Sequence, residues 1–194
     1  MELDIDKQKL SDDLIQNLPN ISGVETLPSI YFVGKAGSGK SYCAKFLMKK
    51  YGFKPAKFAY PVYMIAEKYF GMKDKDRKLM QVIGTDVGRE AINYDIWVNR
   101  FKEDITIVRG TEQKMGLPVS RFVMDDCRFP NEHKILVDLG FYGVYLRVPD
   151  ELRMSRLVGR DGKTQEETLN HSSETLIDSF KDDLIQLDAS GSLE

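Results

Sequence analysis

Short apolar runs alternate with amphipathic stretches along most of the chain. Ile30-Tyr31-Phe32-Val33 is continuously apolar and reads as a buried strand. Beyond it, Ala44, Leu47, Met48 and Tyr51 recur at i, i+3, i+4 and i+7, the stripe of a helix, and Gly52 supplies its stop. Lys57-Phe58-Ala59-Tyr60 predicts a second strand, and Pro61 the first turn of a helix reaching Phe70. Leu79, Val82, Ile83 and Val87 make another helical stripe. Gly84 and Gly88 sit inside it, where they cost stability unless something approaches closely. A further helix is expected over 95–114, carrying the single tryptophan, Trp97. Arg121-Phe122-Val123-Met124 then reads as a strand, Pro130 to Gly140 as a helix, and Gly143 to Val148 as a strand. Pro149-Asp150 opens another helix, Ser173 is placed to cap one more, and Leu184 to Leu187 is a last short strand. This alternation predicts an α/β fold with a parallel sheet, helices on both faces and right-handed crossovers. Ligands in such folds sit at the carboxyl ends of the strands.

The turn after the first strand carries the clearest chemistry. Gly34-Lys35-Ala36-Gly37-Ser38-Gly39-Lys40-Ser41 matches the phosphate-binding pattern G-x-x-x-x-G-K-[ST] between a strand and a helix. Its glycines let successive N–H groups point inward at a phosphate, and the helix N-terminus adds partial positive charge. Lys40 is assigned to the β- and γ-phosphates and the Ser41 hydroxyl to Mg²⁺. Asp125 and Asp126 end a later strand, where a carboxylate can hold Mg²⁺ or its waters, or cap the next helix. Arg128 lies two residues on, with Glu132 able to orient it, as a phosphate fork or a surface ion pair. Arg153, Arg156 and Arg160 project within about 60° of one another on a helix. Followed by the Asp161-Gly162 turn, they suit a mobile lid over a triphosphate, or a solvated face balanced by Asp150 and Glu151. Arg89 and Trp97 fall in the long helical stretch and could clamp and stack an acceptor, Trp97 having core as its commoner role. His133 and His171 are isolated and read as surface or local hydrogen-bonding residues.

Composition narrows the setting. The 194 residues are 42% hydrophobic and 30% charged, with a net charge of −2, as for one ordinary globular domain without a general nucleic-acid-binding excess. Cys43 and Cys127 form neither a disulfide framework nor a zinc motif, which suits a reducing cytoplasm. No apolar run of about 18 residues and no signal peptide at Met1 is seen, so no membrane association is expected. Residues 1–27 carry six acidic residues against Lys7 and Lys9, with a short helix expected from Ser11 to Leu18, and read as a peripheral extension or a partner arm.

Four stretches together resemble the bacteriophage deoxynucleoside monophosphate kinases, within the P-loop nucleoside monophosphate kinase group. They are the loop Gly34 to Ser41; Gln81-Val82-Ile83-Gly84-Thr85-Asp86-Val87-Gly88-Arg89 with Trp97-Val98; Asp126-Cys127-Arg128-Phe129-Pro130-Asn131-Glu132; and His171-Ser172-Ser173-Glu174. The loop is common to many nucleotide-binding proteins, whereas the second and third stretches are far more specific. The resemblance implies a three-layer P-loop NTPase domain over 28–194, with a helical acceptor-binding insert over 61–115 and an Arg-rich lid over 153–171. It implies phosphorylation of a deoxynucleoside 5′-monophosphate by ATP with Mg²⁺. Gly34, Gly37, Ser38, Gly39, Lys40, Ser41 and Arg156 would bind ATP, with Ser41 and Asp126 (or Asp125, through water) on the metal. Phe58, Ala59, Arg89, Trp97, Asp126, Arg128 and Glu132 would face the acceptor. Lys40, Arg128, Arg156 and Arg160 would carry the catalysis. The partner implied is a small nucleotide, in a monomer or homodimer. Tyr60 and Asp188 depart from the family's usual residues, and the extension 1–27 has no counterpart. Another small-molecule P-loop kinase, acting on a phosphomevalonate-like or sugar-acid acceptor, and a nucleotide-binding regulatory module are the competing readings.

Overall fold

The computed structural model describes residues 28–161 and 176–191; the expected helix at 11–18 and the stretch His171 to Glu174 lie outside them. The chain divides into two compact units: one takes Met1–Pro55 with Arg121–Glu194, the other Ala56–Ser120.

The first unit is a parallel sheet of five strands: β1 (Ile30–Val33), β2 (Lys54–Pro55), β3 (Phe122–Met124), β4 (Tyr142–Arg147) and β5 (Ile185–Asp188), in the order β2-β3-β1-β4-β5. Alternation along β1 sorts its side chains to two faces. Ile30 and Phe32 join Val123, Val144, Leu146 and Leu187 in a core shared with Cys43, Ala44 and Leu47 of helix α1 (Lys40–Tyr51). Tyr31 points the other way. Its hydroxyl lies 2.8 Å from His133 Nδ1, on the helix Pro130–Asp138. Ser29, just before β1, ties neighbouring strands: its hydroxyl accepts from Phe122 N–H at 2.9 Å and its carbonyl from Tyr142 N–H at 2.9 Å. The helix Asp150–Asp161 follows β4.

The expected strand at 57–60 is not formed. The edge strand is earlier and shorter, pairing Lys54 with Phe122 and Pro55 with Val123. Pro55 has no N–H to extend the ladder. Phe58 is instead buried against the ring of Phe101, centroids 4.5 Å apart, and Tyr60 already begins the next helix, with Pro61 in its first turn.

The second unit is helical: α2 (Tyr60–Phe70), α3 (Arg77–Gln81), a π-helix (Val82–Ile92) and α4 (Ile96–Lys114). Val62, Ala66, Ile83 and Trp97 form its core. The stripe through Val82, Ile83 and Val87 is therefore helical, but from Val82 on in an i→i+5 register rather than the α register. The helices after β3 and β4 in the first unit are α5 (Pro130–Asp138) and α6 (Asp150–Asp161).

Candidate active site

The phosphate loop takes its shape from glycine. Gly34, Gly37 and Gly39 adopt φ of 151°, 84° and 95°, a region that side-chain-bearing residues rarely enter. A Cβ on Gly37 would also collide with the Arg153 carbonyl, so the loop packs tightly on the first turn of α6. Gly39 caps α1 in a left-handed conformation; no side chain caps that helix and no acidic residue occupies its first turn. The helix N-terminus thus presents N–H groups and partial positive charge without an internal anion, the arrangement that receives phosphate. Ser38 Oγ is buried and, among the described residues, has no hydrogen-bond partner. Lys40 Nζ donates to the Gly34 carbonyl and, at 3.1 Å, to the Lys35 carbonyl, which holds the ammonium over the loop.

Strand register places the carboxylates. β1 and β3 pair as far as Tyr31 and Met124, so Asp125 and Asp126 directly follow β3, beside the strand that leads into Gly34. Among the described residues no group of three His, Cys, Asp or Glu forms a metal cage of its own. Mg²⁺ does not need one, because it is commonly held by one or two carboxylates together with substrate phosphates and waters. The donor set of Ser41 hydroxyl and strand-end carboxylate fits that type, and Asp125 and Asp126 both stay eligible. Glu132 is buried and works through the backbone: its Oε2 accepts from the N–H of Arg128 at 2.7 Å and of Phe129 at 3.1 Å. That fixes the turn from which Arg128 projects and caps α5 at once.

Arg153 and Arg156 of α6 are already engaged. Arg153 Nε donates to Asp150 at 2.6 Å, and this bond holds the Asp150 carboxyl below the usual range. Arg156 Nη2 donates to the carbonyls of Ala189 at 3.0 Å and Gly191 at 2.6 Å, past the end of β5, while its buried Nη1 has no hydrogen-bond partner among the described residues. Burial lowers the Arg156 pKa, offset in part by nearby Cys43. The Arg160 side chain and the lid segment from 162 lie outside the described residues. A cavity of about 620 Å³ opens at the ends of β4 and β5, lined by Lys35, Ser38, Arg147, Asp150, Arg153 and Lys181 among others. Of the loop, Lys35 and Ser38 line it, whereas Lys40 and Ser41 do not.

In the helical unit, Arg89 is buried with Nη1 donating to the Tyr94 carbonyl at 3.2 Å and its guanidinium 5.8 Å from the Tyr94 ring centre. Trp97 is buried, its indole N–H donating to the Gly84 carbonyl at 2.8 Å. Phe58 is core, and Ala59 precedes α2. Two features had no signal in the pattern of the chain. His133, expected at the surface or in a local bond, instead joins Tyr31 and stacks on Phe180 at 4.8 Å. Glu112 is buried and accepts from the Ser120 N–H at 2.8 Å and from its hydroxyl.

Residues 30–177 match the AAA domain family. No curated protein matches the chain. Among solved structures, the protein TT1252 of Thermus thermophilus is similar: 19% identity, TM-score 0.54, 87% of this chain and 92% of that one covered. A gluconokinase from Sinorhizobium meliloti 1021 matches at 16% identity and TM-score 0.49, covering 86% of this chain and 85% of its own. A sugar kinase from Janibacter sp. HTCC2649 matches at 18% and 0.45, covering 87% and 88%. At these identities the likeness to TT1252 is one of fold, and the two kinases overlay too loosely to carry an argument. Among the described residues no helix is long and apolar enough to cross a membrane.

Proposed function

The chain belongs to the AAA domain family, and from that premise we propose that it transfers the γ-phosphoryl of ATP to a deoxynucleoside 5′-monophosphate. The observation that supports this reading is the parallel pairing of β1 with β3: the uncapped phosphate loop follows the first strand and Asp125-Asp126 the second. Hydroxyl, ammonium and helix N-terminus thus follow one strand and the carboxylates its neighbour, the groups that phosphoryl transfer uses. The identity of the acceptor rests on the two specific stretches, Gly84 to Arg89 and Asp126 to Glu132.

In this reading the loop N–H groups and Lys40 hold the polyphosphate. Ser41 with Asp126, or with Asp125, would hold Mg²⁺, which supplies charge neutralisation on the phosphate oxygens. Arg128, set by Glu132, is the cation between donor and acceptor phosphates, with Arg156 and Arg160 as further cations on the transferring group. Arg89 is the clamp for the acceptor. An acceptor phosphate oxygen forms the new bond to the γ-phosphorus as the bond to the bridging oxygen breaks, giving ADP and a deoxynucleoside diphosphate. The acceptor is already ionised at neutral pH, so no general base is needed and catalysis is positioning plus charge neutralisation.

The test is release of ADP from ATP-Mg in the presence of each deoxynucleoside monophosphate, each ribonucleotide, and sugar-acid or other non-nucleotide acceptors. Turnover that depends on a deoxynucleoside monophosphate is expected. Turnover with a non-nucleotide acceptor alone would replace the substrate class, and slow acceptor-independent hydrolysis would make the chain a regulatory module.

A further inference from the structure

We infer that Trp97 is a positioning residue that acts through Arg89, by holding residues 82–92 in the π register, rather than a platform for a base. The inference rests on the reading of Arg89 as the acceptor clamp. A π-helix of 11 residues is unusual, since such turns mostly occur singly inside α-helices. Something must hold the wider ladder open, and the tryptophan does so at two points. Its indole N–H takes the carbonyl of Gly84 at 2.8 Å. Its six-membered ring occupies the space beside Gly88, where a Cβ would lie 2.5 Å from Cζ2 and 2.9 Å from Cε2. The ladder then closes with Asn93 N–H on the Gly88 carbonyl at 3.0 Å, and Asn93 leaves the helix in an extended conformation. Asn93 in turn accepts from Asp95 N–H through its side chain and from Ile96 N–H through its carbonyl, which leads the chain into α4 and back to Trp97.

Arg89 directly follows the clamped glycine. It is buried, so its direction is set by the turn of the helix that carries it. A return to the α register would change the angle between Gly84 and Arg89 and draw the guanidinium from Tyr94. Trp97 is 7% exposed with its only side-chain donor engaged, so little of the ring is open for stacking. This accounts for Gly88, which gives up its side chain to the ring, whereas Gly84 contributes only a carbonyl that any residue could offer.

The test pairs kinetics with a readout that needs no turnover. Trp97→Phe keeps the aromatic bulk and removes the donor. It should raise the acceptor KM about tenfold with kcat within about twofold, the loss of one hydrogen bond that sets a charged group. In an Arg89→Ala background the same change should add almost nothing, because the two residues act in series. A full additive loss there, or an unchanged KM in the single variant, overturns the proposal. ATP affinity should not move; its loss would make Trp97 a merely structural residue. Trp97 is the chain's only tryptophan, so its emission reports this clamp alone. Gly88→Ala should shift that emission to the red. Gly84→Ala should not, because a Cβ there meets only the Val62 methyls at 3.6 Å. Unshifted emission in Gly88→Ala overturns the clamp even if wild type shows no acceptor-dependent turnover, an outcome that would refute the kinase reading instead.

Discussion

The two glycine-rich stretches use glycine for opposite reasons. In the loop 34–41, Gly34, Gly37 and Gly39 are needed for their backbone angles, all at positive φ. In the stretch 84–89, neither Gly84 nor Gly88 adopts a positive φ, and Gly88 is needed for the room it leaves to an indole. The first use shapes the chain around a ligand; the second shapes it around its own side chain. Spacing alone does not separate the two, because only strand-loop-helix context tells a phosphate cradle from a packing notch.

The largest effect should come from the loop's cation. Lys40→Ala is expected to lower kcat by about two orders of magnitude or more, with circular dichroism and Tm near wild type, since in the proposed reaction the ammonium meets charge on the transferring group. Near wild-type turnover in the folded variant would remove the loop from the mechanism. Next come the glycines themselves. Gly37→Ala faces both a left-handed backbone, costing about 1–2 kcal/mol, and a collision with the Arg153 carbonyl, typically another 1–3 kcal/mol for overpacking. At roughly 2–4 °C per kcal/mol for a chain of this size, a clear fall in Tm is expected. Gly84→Ala has neither problem and should be neutral or stabilising by about 0.5–1 kcal/mol, the helix-interior preference for alanine. Equal losses from both changes would erase the distinction between the two stretches.

The smallest effect should be a pH dependence confined to the loop-bearing unit. His133 faces the Tyr31 hydroxyl at 2.8 Å, the Phe180 ring at 4.8 Å and, from Nε2, Asp183 at 3.9 Å. Burial holds its pKa below the ordinary 6.5, and Asp183 offsets only part of this. Between the folded value and 6.5 the unfolded chain binds more protons, so stability falls as the pH drops through that window and levels off below it. Thermal melts from about pH 8 to 5 should therefore show a steeper loss for wild type than for His133→Gln. Parallel curves would contradict the assignment.

Legibility followed the length of the contacts. The strands β1, β3, β4 and β5, and the helices between them, could be read because each is a local apolar run or stripe with a turn residue at its end. The phosphate loop could be read because every element of its pattern lies within twelve residues. The edge strand β2 could not, since two exposed residues carry no pattern. The π register was hidden because an apolar stripe over eleven residues looks much the same at either helical pitch. The Tyr31–His133 bond spans 102 positions, and the Arg156 bonds to Ala189 and Gly191 span 33 and 35, distances at which residue type gives no cue. Glu132 could be read as important, but its use of backbone N–H groups depends on the turn geometry before α5.

In the proposed reaction ATP and acceptor are held by different residues, Lys40 and its loop for ATP and Arg89 for the monophosphate. This division is tested most directly by Arg89→Ala, with acceptor kinetics at saturating ATP and ATP affinity by calorimetry. A contact present in ground and transition states alike raises KM and spares kcat. The expected result is an acceptor KM raised about tenfold or more, a kcat within a few-fold of wild type, and an unchanged ATP Kd. Loss of ATP binding with the acceptor KM intact would contradict it.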